Sequence, residues 1–237
     1  MKKMLKYISL IPFLFFTIFI FSQKNKDQNN LVSNESYNLY KPNNTQAVLL
    51  LFGSFPEDAA SIENEFPITD LANEKNVAVA YLNFNRKLWL EESEKPQLAV
   101  TIKDLFITNN LPTDKIYIGG LSSGGSLALL IGNFLSQNLE YNLNPSGVFV
   151  VDSPIDLAAL FRIAEGNIKR NFSEASVGES SFLFKYFNEQ LGNPNEEIAP
   201  YEKYSAFTYE TQNFQNLKEL KNTKLRFYTE PDKTWWK

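Results

Sequence analysis

Residues 115–131, KIYIGGLSSGGSLALLI, join a short apolar run to a longer one through seven residues, GGLSSGG. The first run has the length and composition of a buried strand. The second is apolar nearly all round, as a helix buried on every side would be. Between them stands Gly120-Leu121-Ser122-Ser123-Gly124, the pattern G-x-S-x-G. Such a string is common by chance, and its meaning depends on whether it joins a strand to a helix. Here it does. A glycine on each side of Ser122 suits a corner too tight for a β-carbon. Ser122 is expected at its tip, with a strained backbone and an exposed hydroxyl. The amide of Ser123 opens the helix, where unpaired N–H groups and the helix dipole favour negative charge. Two other readings compete: a glycine-rich helix start without chemistry, and a phosphate-binding loop. The stretch lacks the lysine of a P-loop and the spacing of a dinucleotide fingerprint.

Working outward, apolar runs of strand length alternate with amphipathic ones. Strands are expected at 47–52, 77–84, 147–152 and 224–229, and helices at 57–65, 96–108 and 123–135. Alternation of this kind predicts an α/β fold: a mainly parallel sheet with helices on both faces. Residues 153–223 are too long for a simple crossover and predict a helical insertion. Ser153-Pro154-Ile155-Asp156 and Ser176-Val177-Gly178-Glu179 each read as a helix start, and the second helix should stop at Gly192. Its aromatic stripe suits either a lid over a site or an added layer of core.

The N-terminus reads differently. Residues 1–22 carry Lys2, Lys3 and Lys6, then an apolar run from Ile8 to Phe21 interrupted by Pro12. This is the layout of a secretory signal peptide, and the run is short of the ~20 residues that a membrane span needs. An uncleaved membrane anchor is the alternative. The expectation is therefore an exported protein, periplasmic or secreted, with membrane contact only if the leader is kept. Asn- and Lys-rich residues 23–36 read as a flexible tether, followed by one domain over 37–237. Without the leader the formal charge moves from −4 to −7, because the leader holds three lysines and no acid. Mild acidity argues against nucleic acid as a partner. The chain has neither cysteine nor histidine, so disulfides and thiolate or imidazole metal sites are excluded. Metal and cofactor are both expected to be absent.

With the strand, the G-x-S-x-G corner and the helix in place, the sequence resembles the α/β-hydrolase superfamily of esterases, lipases and serine peptidases over residues 47–232. The resemblance implies Ser122 as nucleophile and the Ser123 amide as one oxyanion donor. It also implies that LFGSFPE, residues 51–57, is the oxyanion loop, with the amide of Ser54 or Phe55 as second donor. Phe52 and Ser54 depart from the histidine and glycine usual there. The acid is then expected in YTEPD, residues 228–232, as Asp232 with Glu230 as alternate, and the insertion falls where lids occur. Phe161, Phe182 and Phe187 hint at an apolar or aromatic group on a small-molecule or peptide substrate. The order of the triad puts a histidine beyond the acid, whereas the sequence ends at KTWWK. Three expectations follow: an esterase-like hydrolase whose base lies outside these 237 residues, a non-catalytic binding protein, or a truncated product without function. Asp152, at the end of its strand, is a further carboxylate that could approach the site.

Overall fold

A computed structural model of the chain describes residues 31–84 and 88–229. Seven strands form one sheet in the order β1-β2-β4-β3-β5-β6-β7. They are β1 (Leu31–Ser33), β2 (Tyr37–Tyr40), β3 (Ala47–Phe52), β4 (Val77–Leu82), β5 (Ile116–Leu121), β6 (Gly147–Val151) and β7 (Lys224–Tyr228). From β4 to β7 the pairing is parallel throughout, while β1 and β2 run antiparallel on the far side of β4. The expected α/β sheet is therefore present.

Continuous apolar runs are what a strand covered on both faces requires. In β3, Val48, Leu50 and Phe52 point into the larger core with the helices α3 (Glu94–Thr108) and α4 (Ser123–Gln137). Leu51 faces the other side, toward α1 (Ala59–Glu65) and α2 (Thr69–Glu74). β4 repeats the alternation, with Ala78, Ala80 and Leu82 on one side and Val79 and Tyr81 on the other.

Residues 153–223 hold α5 (Leu157–Arg170), α6 (Glu174–Leu191), α7 (Ala199–Tyr204) and a 3-10 helix at Gln215–Asn222. The three α-helices build a separate core from Phe161, Phe187, Leu191 and Tyr201, which closes on Leu88 and Trp89 from the loop after β4. Trp89 stacks on Phe187 and Tyr204 at centroid distances of 5.9 and 5.7 Å. Its indole N–H donates to Glu91 at 2.9 Å, and the Tyr204 hydroxyl donates to the other oxygen of that carboxylate at 2.7 Å. Most of the insertion's aromatic stripe is thus packed core.

Several expected boundaries shift. The tether expected over 23–36 is strand from Leu31. Its residues are exposed, so no apolar run announces it. The helix expected to start at Ser153 starts at Leu157, capped by Asp156, whose carboxylate accepts from the Ala159 N–H at 2.9 Å. Ser153 instead donates back to the Val151 carbonyl at 3.1 Å. The next helix is capped by Ser173 rather than Ser176, which sits inside it with its N–H donating to the Ser173 hydroxyl. That helix does end at Gly192, at φ +80°. Residues 1–22 and 23–30, with the leader and the start of the tether, lie outside the described residues.

Phe187 is fully buried between Trp89 and Tyr201. Phe187→Ala should cost about 3–5 kcal/mol of folding stability, measured as a shift of the urea midpoint. A loss under about 1 kcal/mol would mean that α6 is not part of the packed core.

Candidate active site

β5 delivers Leu121 to the carboxyl edge of the sheet, and the chain turns at Ser122 directly into α4. Ser122 has φ +48° and ψ −126°, a region that costs a non-glycine residue of order 1–3 kcal/mol. Three close approaches hold it there. A β-carbon on Gly120 would run into the backbone of Gly124 and Gly125. One on Gly124 would run into the carbonyl oxygens of Phe52 and Gly53 at the end of β3, and one on Gly125 into the Ser153 hydroxyl. The first turn of α4 therefore lies against the ends of β3 and β6, and the serine before it has no room to relax. Ser122 is exposed, whereas Ser123 to Ile131 are buried without interruption. The expected corner is present in full: strand, strained exposed serine, buried helix.

Ser123 is the first residue of α4, so its N–H precedes the helix's own hydrogen-bond ladder. No acidic residue stands in that first turn to compete for the positive end of the helix. The Ser123 side chain has a second task, which the sequence reading missed. Its hydroxyl oxygen, nearly inaccessible to water, accepts the Phe55 N–H at 2.9 Å. The neighbouring Ser54 N–H donates to the Glu57 carboxylate at 2.6 Å. Both loop amides considered as second oxyanion donors are thus engaged by side chains. The Ser54–Glu57 bond has a sequence signal, the S-x-x-E spacing in which a carboxylate reaches back to an N–H three residues earlier. The bond of Phe55 to Ser123 spans 68 residues and has none.

Burial, with a hydrogen bond that protonated Glu57 donates to the Glu65 carboxylate and the charges of Glu65 and Asp58, pushes Glu57 above the ordinary glutamate pKa. The Ser54 N–H pulls the other way.

Leu121 pairs with Val151 across the β5–β6 ladder, and the Ser122 N–H donates to the Val151 carbonyl at 2.9 Å. Asp152 thus leaves the sheet beside Ser122, and it too has a positive φ of 46°. Its exposed carboxylate stands on the same edge. Asp232 and Glu230 lie outside the described residues. Of the three phenylalanines tied to a substrate, Phe161 and Phe187 are fully buried and unavailable to one. Phe182 is 48% exposed and stacks on Phe55. Among the described residues, no group of three Asp or Glu side chains is arranged to hold a metal ion.

The fold, with its mainly parallel sheet, is similar to that of solved structures. A candidate esterase from Staphylococcus aureus superposes at TM-score 0.50 with 13% identity, over 85% of this chain and 74% of its own. Acylaminoacyl peptidase in complex with Z-Gly-Gly-Phe-chloromethyl ketone gives 0.50 and 14%, over 83% and 34%. A glycosylation-associated protein complex (Gap123) from Streptococcus agalactiae gives 0.50 and 12%, over 81% and 33%. The chain has the α/β-hydrolase fold. It spans about a third of the last two proteins. By sequence, no family model and no curated relative matches it. The α/β-hydrolase fold is thus shared without sequence similarity beyond 14% in these three structures.

Two outcomes test this geometry. Gly124→Ala should cost about 1–3 kcal/mol, because its methyl group would have to displace the β3 carbonyls; an unchanged denaturation midpoint would contradict the close approach. The second concerns pH. A carboxyl whose pKa is raised on folding contributes stability that is present below the unfolded value and lost as pH climbs through the folded one. Wild type should therefore lose stability relative to Glu57→Gln as pH rises from about 4 to 7. Parallel urea profiles for the two proteins would remove the raised pKa from consideration.

Proposed function

We propose that this chain is an esterase-like serine hydrolase that acts on a small carboxylic ester or amide through Ser122. The observation that carries the reading is the backbone of Ser122: a non-glycine residue at φ +48°, exposed, at the start of a buried helix. A structure keeps such strain where the surroundings over-determine it, and such residues cluster at reactive sites. The Ser122 hydroxyl attacks the carbonyl carbon, its proton passes to a base, and the carbonyl oxygen gains negative charge beside the Ser123 N–H. Asp232, or Glu230 in its place, is the acid of the triad by resemblance. Export through the N-terminal leader would put the substrate outside the cytoplasm.

The proton acceptor is the open term. The 237 residues contain no histidine, and loss of a triad member leaves only about 10³–10⁴-fold catalysis over water. These 237 residues by themselves are therefore inactive or severely impaired in turnover, while the nucleophile and its oxyanion donor remain. Because Ser122 is exposed, an imidazole from solution can reach it and act as the absent base.

The test is covalent labelling of the full chain with a small alkyl fluorophosphonate, followed by intact mass and peptide mapping. Labelling should map to Ser122, vanish in Ser122→Ala, and speed up at least about 10-fold with added imidazole. Equal labelling of wild type and Ser122→Ala would sink the nucleophile assignment. It would favour a binding protein that keeps the fold without the chemistry.

A further inference from the structure

We propose that Asp152 is the base that takes the proton of Ser122, an assignment that rests on the reading of Ser122 as nucleophile. Among the described residues, seven non-glycine residues have a positive φ. Four are asparagines, Asn76, Asn110, Asn142 and Asn171, which stand just past the ends of helices. A left-handed residue is an ordinary way to stop a helix. Gln212 lies in the turn closed by the Thr208–Asn213 bridge. Ser122 and Asp152, at +48° and +46°, are the two that directly follow strands, β5 and β6. Those two strands are neighbours in the sheet.

The ladder sets the two residues side by side. Leu121 pairs with Val151, so the next step of the register joins Ser122 to Asp152. The Ser122 N–H donates to the Val151 carbonyl at 2.9 Å, and the Asp152 N–H donates to the Tyr228 carbonyl at 2.9 Å. Each residue is thus pinned by its backbone to the strand beside it. Neighbouring strands lie about 5 Å apart, and both residues are exposed. A hydroxyl and a carboxylate at that spacing can meet directly or through one water. As the Ser122 oxygen bonds to the carbonyl carbon, its O–H bond breaks, the proton passes to Asp152 and the carbonyl electron pair moves to oxygen. When the intermediate collapses, the bond to the leaving group breaks and the Asp152 carboxyl returns the proton to the leaving atom. Water then releases the acyl group by the same steps, with Asp152 again the base. A carboxylate is a weaker base than imidazole, so the transfer is slow without being absent, which suits 237 residues without histidine.

The experiment measures the rate of fluorophosphonate labelling at Ser122 in the full chain, without imidazole, for wild type, Asp152→Asn and Asp152→Gly. Asparagine and glycine both suit a positive φ, so neither change should move the unfolding midpoint much. Labelling should slow at least about 10-fold in each variant. Added formate should speed Asp152→Gly, where it can take the place of the missing carboxylate, and leave wild type unchanged. Added imidazole should bring both variants up to wild type measured with imidazole, because the nucleophile itself is intact. Asp152→Asn labelled at the wild-type rate, or Asp152→Gly indifferent to formate, overturns Asp152 as the base and leaves Ser122 standing. Variants that imidazole does not restore have lost the corner and not a base, which overturns it too. No label at Ser122 in wild type, with or without imidazole, overturns the nucleophile reading and this assignment with it.

Discussion

The backbone of Gly124 lies directly against the carbonyl oxygens of Phe52 and Gly53, and much else in the molecule is arranged around that approach. It brings α4 down onto the ends of β3 and β5 closely enough that no side chain fits at positions 120, 124 or 125. With the helix seated so low, the link from β5 has one residue in which to turn, and Ser122 takes it at positive φ. Gly119 serves the opposite face of the sheet: the space where its side chain would be is filled by the Phe149 ring of β6. The repeated glycines thus answer two packing demands from two sides. Further along the helix, the Ser126 hydroxyl donates to the Pro154 carbonyl at 2.9 Å and ties the loop after β6 to the same helix. Three loops at the carboxyl edge of the sheet are therefore positioned by the first turn of α4.

The insertion is held by a different kind of force. Its helices carry rings that close on one another and on Trp89. Burial of aromatic side chains at this density favours a fixed layer over a swinging cover. The two expectations for this segment, lid and core, divide residue by residue. Phe161 and Phe187 are core, and Phe182 sits at the rim nearest the loop that carries Phe55. A helical stripe in sequence cannot make that division. It reports which residues share a face and says nothing of how far along the helix the neighbouring surface extends.

Legibility in sequence followed the same physics. Strands buried on both faces write themselves as apolar runs, and β3, β4, β5 and β6 were found within a residue or two at most of their ends. β1 and β2 were missed. Leu31–Ser33 is exposed, and the alternation in Tyr37–Tyr40 is only four residues long. Six-residue helices such as Thr69–Glu74 and Ala199–Tyr204 hold too few turns to show a period. The capping motifs misled because serine followed three residues later by an acid suits more than one position. Asp156 and Ser173 cap the helices, while Ser153 serves the strand before it. The corner at Ser122 was legible because its demands are local. The partners of its neighbours were not, since the Phe55–Ser123 bond joins residues 68 apart.

Those partners bear on which loop amide a developing oxyanion would take under the proposed chemistry. The Phe55 N–H faces the neutral Ser123 hydroxyl at 2.9 Å, whereas the Ser54 N–H faces the Glu57 carboxyl at 2.6 Å. An ionised acceptor holds an N–H roughly twice as strongly as a neutral one. A new alkoxide can therefore outcompete the serine hydroxyl for Phe55 more readily than it can displace an ionised Glu57 from Ser54. Protonation of Glu57, favoured by its burial beside Glu65, narrows the difference but leaves the order unchanged, because the shorter bond and the loop turn it closes remain. Of the two loop donors that the resemblance left open, Phe55 faces the neutral acceptor and Ser54 the carboxyl that closes its own turn.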